Sequence, residues 1–195
     1  MKWSVIMYTI EKTYTADMGH RIHNQKLDSE FTENNSKILK CRRFHGHTFE
    51  LKVRLVSNDL IDDMVLDYNE LGFVKKFIDD VMDHRTLISR SDPVLDKVVS
   101  KVYSEYNENK QIKYIDTGWN CFKIDLDGIS DSDIREYLDC FVVVDFTTSS
   151  ENISKWVYDL VSNVVHKYNQ KNGTDVKVFS VSYKETPKSE AVYFG

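Results

Sequence analysis

Proline and glycine are scarce in this chain, two and seven among 195 residues, so no Pro/Gly linker or low-complexity tract divides it. Cysteine is scarce as well. Cys41, Cys121 and Cys140 are scattered and odd in number, which argues against a disulfide framework and fits a reducing, cytoplasmic setting. No run approaches a membrane span, and the opening residues, Met1 to Tyr8, lack a small-residue cleavage site, so no membrane partner is expected. Positive charge is also in short supply. With a formal net charge of −5, the one compact basic cluster is Lys40, Arg42 and Arg43. That is too small for nucleic acid, which needs many clustered phosphate contacts, but it suits a phosphorylated small molecule.

What is present reads as one globular α+β domain. Hydrophobic residues at 41% and charged residues at 29% match a chain that can bury a core. Trp3 to Ala16, rich in Val, Ile, Tyr and Thr, predicts a strand. The polar stretch from His23 to Lys40 predicts a loop. Next comes the clearest strand: His45, His47, Phe49, Leu51, Val53 and Leu55 alternate with a mostly polar set. Asp67 with Glu70 forms a capping-box pattern ahead of Leu71, Val74, Phe77, Ile78, Val81 and Met82 at helical spacing. A late helix starts near Thr148–Glu151, where Thr148 and Glu151 also satisfy a capping box. Its stripe runs through Ile153, Trp156, Val157, Leu160, Val161, Val164, Val165 and Tyr168. Asp175 to Glu185 and Ala191 to Phe194 predict two closing strands.

Without residues 89–146 this is strand–strand–helix–helix–strand–strand, a plan for an antiparallel sheet with helices on it. Residues 89–146 read as a folded insertion subdomain. Asp92-Pro93 starts a helix carrying Leu95, Val98, Val99, Val102, Tyr103 and Tyr106. Phe122, Ile124 and Leu126 alternate like a strand, and Phe141 to Phe146 predicts another.

Three histidines carry the chemistry. Side chains on a strand alternate, so His45 and His47 project to one face and can give two nitrogens to one zinc. His20, from a neighbouring strand, can supply a third and leave the fourth position open. An isolated His-x-His is more often decoration than a ligand pair. Cys41 changes the balance: flanked by Arg42 and Arg43 and close to a zinc, its thiolate would be stabilised and could act as a base. Cys121 and Cys140 read as small buried hydrophobes. Asp83-His84, at the end of the first helix, offers a carboxylate–imidazole proton relay, or simply a histidine satisfying helix carbonyls. Glu185 shares a strand face with Phe179, Val181 and Tyr183, so a carboxylate aims into apolar surroundings and calls for a partner or ligand. His23 and His166 receive no role.

Taken in order, Gly19-His20-Arg21, Cys41-Arg-Arg-Phe-His45-Gly46-His47, Asp67-Tyr-Asn-Glu-Leu71, Asp83-His84, Ser149-Ser150-Glu151-Asn152, Lys184-Glu185-Thr186 and the Val192–Gly195 ending resemble the 6-pyruvoyl-tetrahydropterin synthase and 6-carboxy-tetrahydropterin synthase family. Two positions depart from its pattern: Gly19 stands where an alanine is usual, and Thr148-Ser149 where Pro-Thr is usual. The resemblance implies a tunnelling fold (T-fold), a four-stranded antiparallel sheet with two helices on one face. It implies a homo-oligomer, commonly a hexamer built as a dimer of trimers, and a pterin triphosphate substrate, 7,8-dihydroneopterin triphosphate. It implies zinc on His20, His45 and His47, Cys41 as base, and Asp83 and His84 as relay. Glu185 would anchor the pterin's guanidine-like edge, with Thr186, Ser149 and Glu151 near the pterin. Three residues lie between Cys41 and His45, a spacing that resembles the carboxy branch. That branch makes 6-carboxy-tetrahydropterin and acetaldehyde for 7-deazapurine (queuosine) synthesis. A pyruvoyl synthase, or an inactive pterin-binding or assembly protein, remains an alternative.

Overall fold

Strict alternation decides the second strand. In the computed structural model, which describes residues 7–28 and 39–195, β2 (His45–Ser57) buries Phe49, Leu51, Val53 and Leu55 completely and leaves the residues between them part-exposed. The first strand, β1 (Tyr8–His20), is longer at its end than its composition suggested and carries His20 as its last residue. The expected residues Trp3–Ile6 lie outside the described residues, as does 29–38 of the expected polar loop. The described end of that loop winds into a single 3-10 turn, Lys40–Arg42.

The chain divides into two compact units. The first takes in Met1–Ala16, Thr48–Asp80 and Ser150–Gly195. Its strand order is β1-β2-β7-β8, with β7 (Lys177–Thr186) and β8 (Ser189–Tyr193). The β2/β7 and β7/β8 pairs are antiparallel. Asp67 caps the first helical stretch, its carboxylate accepting from the Asn69 N–H at 2.8 Å. Tyr68–Leu71 is 3-10, α1 (Gly72–Phe77) is α-helical, and the following turn Ile78–Met82 widens to π geometry. The expected stripe Leu71, Val74, Phe77 and Ile78 is buried. The last helix of the chain, Ser150–Asn172, lies against β7 and β8 and buries Ile153, Trp156, Val157 and Val161. Phe77 meets Trp156 edge-on at 4.9 Å, a favoured aromatic geometry.

The second unit comprises Asp17–His47 and Val81–Ser149, so, among the described residues, 89–146 fold together with 17–28, 39–47 and 81–88. Its strands run β4-β5-β6-β3 and then the ends of β1 and β2, with β3 Arg85–Ser89, β4 Tyr114–Asp116, β5 Phe122–Ile124 and β6 Phe141–Val144. The sheet therefore exceeds the four strands expected and is not wholly antiparallel. β3 pairs in parallel with both β1 and β6. β3 escaped sequence reading because it is short, follows a helix directly and buries Leu87, Ile88 and Ser89 in succession, so it shows no alternation. The helical stretch after Asp92 is Leu95–Val99 in π geometry and then α2 (Ser100–Tyr106). Val98 and Tyr106 of its expected stripe are exposed, while Leu95, Val99 and Tyr103 are buried. α3 (Ser132–Asp139), with Asp131 accepting from the N–H groups of Asp133 and Ile134, was not foreseen. With α3 numbered, the Ser150–Asn172 helix is α4. The core of this unit includes Ile88, Leu95, Tyr103, Leu138 and Phe141.

Phe77 is 2% exposed, so truncating it leaves a cavity under α4. Phe77→Ala is expected to destabilise the chain by about 3–5 kcal/mol, measured by urea denaturation against the parent protein.

Candidate metal centre and active site

All three expected ligands fall in the second unit, at the end of β1 and the start of β2. Their ring centroids lie 4.6 Å apart for His20 and His45, 5.6 Å for His20 and His47, and 5.0 Å for His45 and His47. Each ring offers a nitrogen, and these nitrogens all lie within 4.8 Å of one another. The backbone around these rings is crowded. A Cβ on Gly46, between the two β2 histidines, would stand 3.2 Å from the Met18 carbonyl oxygen. A Cβ on Gly19 would stand 2.9 Å from Oγ1 of Thr86, which gives the departure from alanine at this position a steric reason.

The outer hydrogen bonds set the tautomers. His20 Nδ1 is 2.7 Å from the Thr148 carbonyl oxygen, and His45 Nδ1 is 2.8 Å from that of Arg43. A carbonyl can only accept, so in both rings Nδ1 carries the proton and Nε2 keeps its lone pair. Three imidazoles gathered this closely, one ring fully buried, are a group that could hold a metal ion.

Cys41 is held beside the end of β1. Its carbonyl accepts from Ile22 N–H at 2.7 Å, and its N–H donates to Gln25 Oε1 at 3.1 Å. The thiol-bearing residue is part-exposed, whereas Cys121 is buried. Burial pushes the Cys121 thiol up to about 11. Cys140 was expected to be a buried hydrophobe but is only half-buried, and burial raises its thiol too.

Asp83 and His84 lie just past the π turn, not within the helix. The Asp83 carboxylate accepts from the Asp17 N–H at 3.3 Å and sits 2.9 Å from His84 Nδ1, while His84 N–H donates to the Asp17 carbonyl at 2.7 Å. His84 has φ of 55°. A non-glycine residue in that left-handed region is uncommon, and here one hydrogen bond from His84 to Asp17 and one from Asp17 to the neighbouring Asp83 hold the turn.

The remaining expected residues are Ser149 in the second unit and Glu151, Glu185 and Thr186 in the first. Within the first unit Ser150 reaches Glu185, its Oγ donating to Oε2 at 2.8 Å. Burial, reinforced by the Glu185 charge, pushes the phenol of Tyr183 above its ordinary value. Thr186 sits at the β7/β8 turn, its hydroxyl 2.6 Å from that of Ser189. Glu151 is exposed, and its carbonyl accepts from the Ser154 hydroxyl.

Two residues escaped sequence reading. Thr148 was read as a helix cap, but its hydroxyl donates to the Arg21 carbonyl at 2.8 Å while its carbonyl serves His20. His23, assigned no role, has Nδ1 at 3.9 Å from the buried carboxylate of Asp92. No local pattern signals either contact.

The sequence model of the family described as 6-pyruvoyl tetrahydropterin synthase matches residues 9–195. The chain belongs to that family. A 6-carboxy-5,6,7,8-tetrahydropterin synthase of Aquifex aeolicus is 26% identical over 198 residues, covering 99% of this chain and 98% of the relative. A crystal structure of an uncharacterized protein from Wolinella succinogenes superposes with a TM-score of 0.81 at 32% identity, over 97% of this chain and 99% of that one. The 6-pyruvoyl tetrahydropterin synthase of Plasmodium vivax, at 17% identity and a TM-score of 0.54 over 96% and 97% of the two chains, shares the fold. The T-fold expectation therefore holds, with a larger sheet. Among the described residues, no helix is long and apolar enough to cross a membrane.

Burial separates the thiols of this family member. In the metal-free folded chain at pH 8, iodoacetamide should modify Cys41, while Cys121, protonated well above that pH, stays untouched until denaturant is added. Peptide mass mapping checks the order.

Proposed function

We propose that this chain is a zinc-dependent lyase of the carboxy branch. It would convert 7,8-dihydroneopterin triphosphate to 6-carboxy-5,6,7,8-tetrahydropterin, acetaldehyde and triphosphate. The observation that carries the reading is the three-imidazole group of His20, His45 and His47, with the His20 and His45 rings oriented by carbonyls. Support for the carboxy product comes from the spacing of Cys41 to His45 and from the name of the Aquifex aeolicus relative, which aligns end to end. The family description favours the pyruvoyl product as the second reading.

In this reading the three histidines hold zinc, which when bound supplies Lewis acidity and orientation to the hydroxyls of the substrate side chain. Cys41 removes a side-chain proton as general base, from a position fixed through both its N–H and its carbonyl. Asp83 orients His84 through Nδ1, and His84 returns a proton. Glu185, steadied by Ser150, accepts hydrogen bonds from the pterin's guanidine-like edge. Thr186, Ser149 and Glu151 are further proposed pterin contacts. We propose a cytoplasmic homo-oligomer, a hexamer of two trimers, whose product enters 7-deazapurine (queuosine) synthesis.

The test is incubation of zinc-loaded protein with 7,8-dihydroneopterin triphosphate and identification of products by mass spectrometry. 6-Carboxy-tetrahydropterin with acetaldehyde is expected, and a pyruvoyl product would decide for the second reading. Zinc without turnover would point instead to a pterin-binding or assembly protein. Cys41→Ala should lower turnover by about 10²–10⁴-fold with zinc content unchanged. His45→Ala should lose zinc and turnover together. If Cys41→Ala also loses zinc, its assignment as base fails.

A further inference from the structure

Asp92 carries a buried charge that the proposed reaction does not use. Its side chain is 0% exposed, and Oδ2 lies 2.9 Å from Nε of Arg21 and 3.9 Å from Nδ1 of His23. Its other oxygen, Oδ1, accepts from the Val94 N–H at 2.8 Å, the capping contact that sequence reading expects. The two oxygens therefore do different jobs. Arg21 is 14% exposed and stands over the Phe44 ring at 5.3 Å. A buried carboxylate is costly unless it is paired, and this ion pair, a charge contact rather than an aligned hydrogen bond, restrains the side chain of residue 21. The backbone of residue 21 is pinned too, because its carbonyl accepts from the Thr148 hydroxyl at 2.8 Å. Thr148 is itself fully buried, and its carbonyl takes His20 Nδ1 at 2.7 Å.

We infer that Asp92 and Thr148 are positioning residues for the metal centre, acting on His20. Asp92, from the segment 89–146, anchors Arg21, and Arg21 with His20 clamps Thr148 through its hydroxyl and its carbonyl. The Thr148 carbonyl then holds the His20 ring in the tautomer that leaves Nε2 as the ligating atom. This rests on the reading of His20, His45 and His47 as metal ligands. It goes further in making the metal affinity depend on a carboxylate far from the ligands in sequence. The stretch around Asp92 thereby acquires a part in the site beyond starting a helix.

The experiment measures zinc affinity by chelator competition and the visible spectrum of the cobalt(II)-substituted protein, on the full chain. Asp92→Asn keeps an oxygen for the Val94 cap and removes the charge facing Arg21. Thr148→Val removes the hydroxyl alone, and Thr148→Ser restores it. Asp92→Asn and Thr148→Val should each weaken zinc binding by about 10–100-fold and alter the cobalt spectrum, while Thr148→Ser stays close to the parent. Asp131→Ala, which removes the α3 cap in the same unit, should lower the melting temperature without moving zinc affinity.

Parental zinc affinity and an unchanged cobalt spectrum in Asp92→Asn would overturn this inference and leave the metal reading standing. An equal loss of affinity in Asp131→Ala would overturn it as well, reducing Asp92 to a folding role. A parent chain that binds no zinc would remove the metal reading and this inference together. If Asp92→Asn does not fold, Arg21→Gln, which removes the charge that Asp92 faces, takes its place: parental zinc affinity overturns the inference, a loss with an altered cobalt spectrum upholds it, and equal affinity in Thr148→Val and Thr148→Ser overturns it as well.

Discussion

The three imidazoles meet where the end of β1 lies against the start of β2, and the lack of a side chain at Gly46 and Gly19 relieves crowding there. Any side chain at Gly46 would press on the Met18 carbonyl, a backbone atom that cannot swing away. At Gly19 the neighbour is the Thr86 hydroxyl on β3, which pairs with β1 at that residue. Because β1 and β2 alternate, each glycine sits beside a histidine on its own strand, so close approach of the backbones gathers the rings on one face. The parallel addition of β3 to the end of β1 is part of the same constraint, since it keeps β1 extended as far as His20.

Around that group the chain fixes orientation with backbone atoms more than with side chains. Two of the three rings give their Nδ1 protons to carbonyls, of Thr148 and Arg43. Cys41 is tethered through its own N–H and carbonyl, and His84 reaches Asp17 through its backbone N–H. Backbone acceptors are set by the path of the chain and lose no rotamer entropy on binding, so a side chain held by them keeps one orientation. The corresponding device in the first unit uses side chains, the Ser150 hydroxyl on Glu185. There the acceptor is a charge, and a charge-assisted bond is the stronger kind.

The segment 89–146 is built as solidly as the rest. Ile88, Leu95, Tyr103, Leu138 and Phe141 share a core, and Arg90 lies over the rings of both Tyr114 and Phe122, at 4.8 and 4.5 Å. A cation between two aromatic faces adds to the apolar packing around it. The alignment with the Aquifex aeolicus relative, covering 99% of this chain, runs through this segment. It is therefore shared with at least one family member of similar length.

Much of this was legible in the residues. The His45-x-His47 alternation, the Asp67 start, the stripes at 71–82 and 153–165 and the family's ordered motifs each depend on neighbours close in sequence. Local backbone geometry turns such spacing directly into a face or a cap. β3 was hidden because a strand buried on both sides has no alternation to read. The Leu126 end of the strand expected from Phe122, Ile124 and Leu126 failed because Asp125 takes the Asp127 N–H and turns the chain. Thr148 looked like a cap, and its sequence neighbours supported that reading. Only the folded chain brings Arg21 and His20 against it, 127 and 128 residues away. The sequence by itself determined which residue types could do the chemistry and on which local elements they sit. Tertiary structure alone decided which carbonyls set the histidine tautomers, which serine holds Glu185 and what partners Asp92. Those are contacts between residues far apart in sequence, and no periodicity along the chain encodes them.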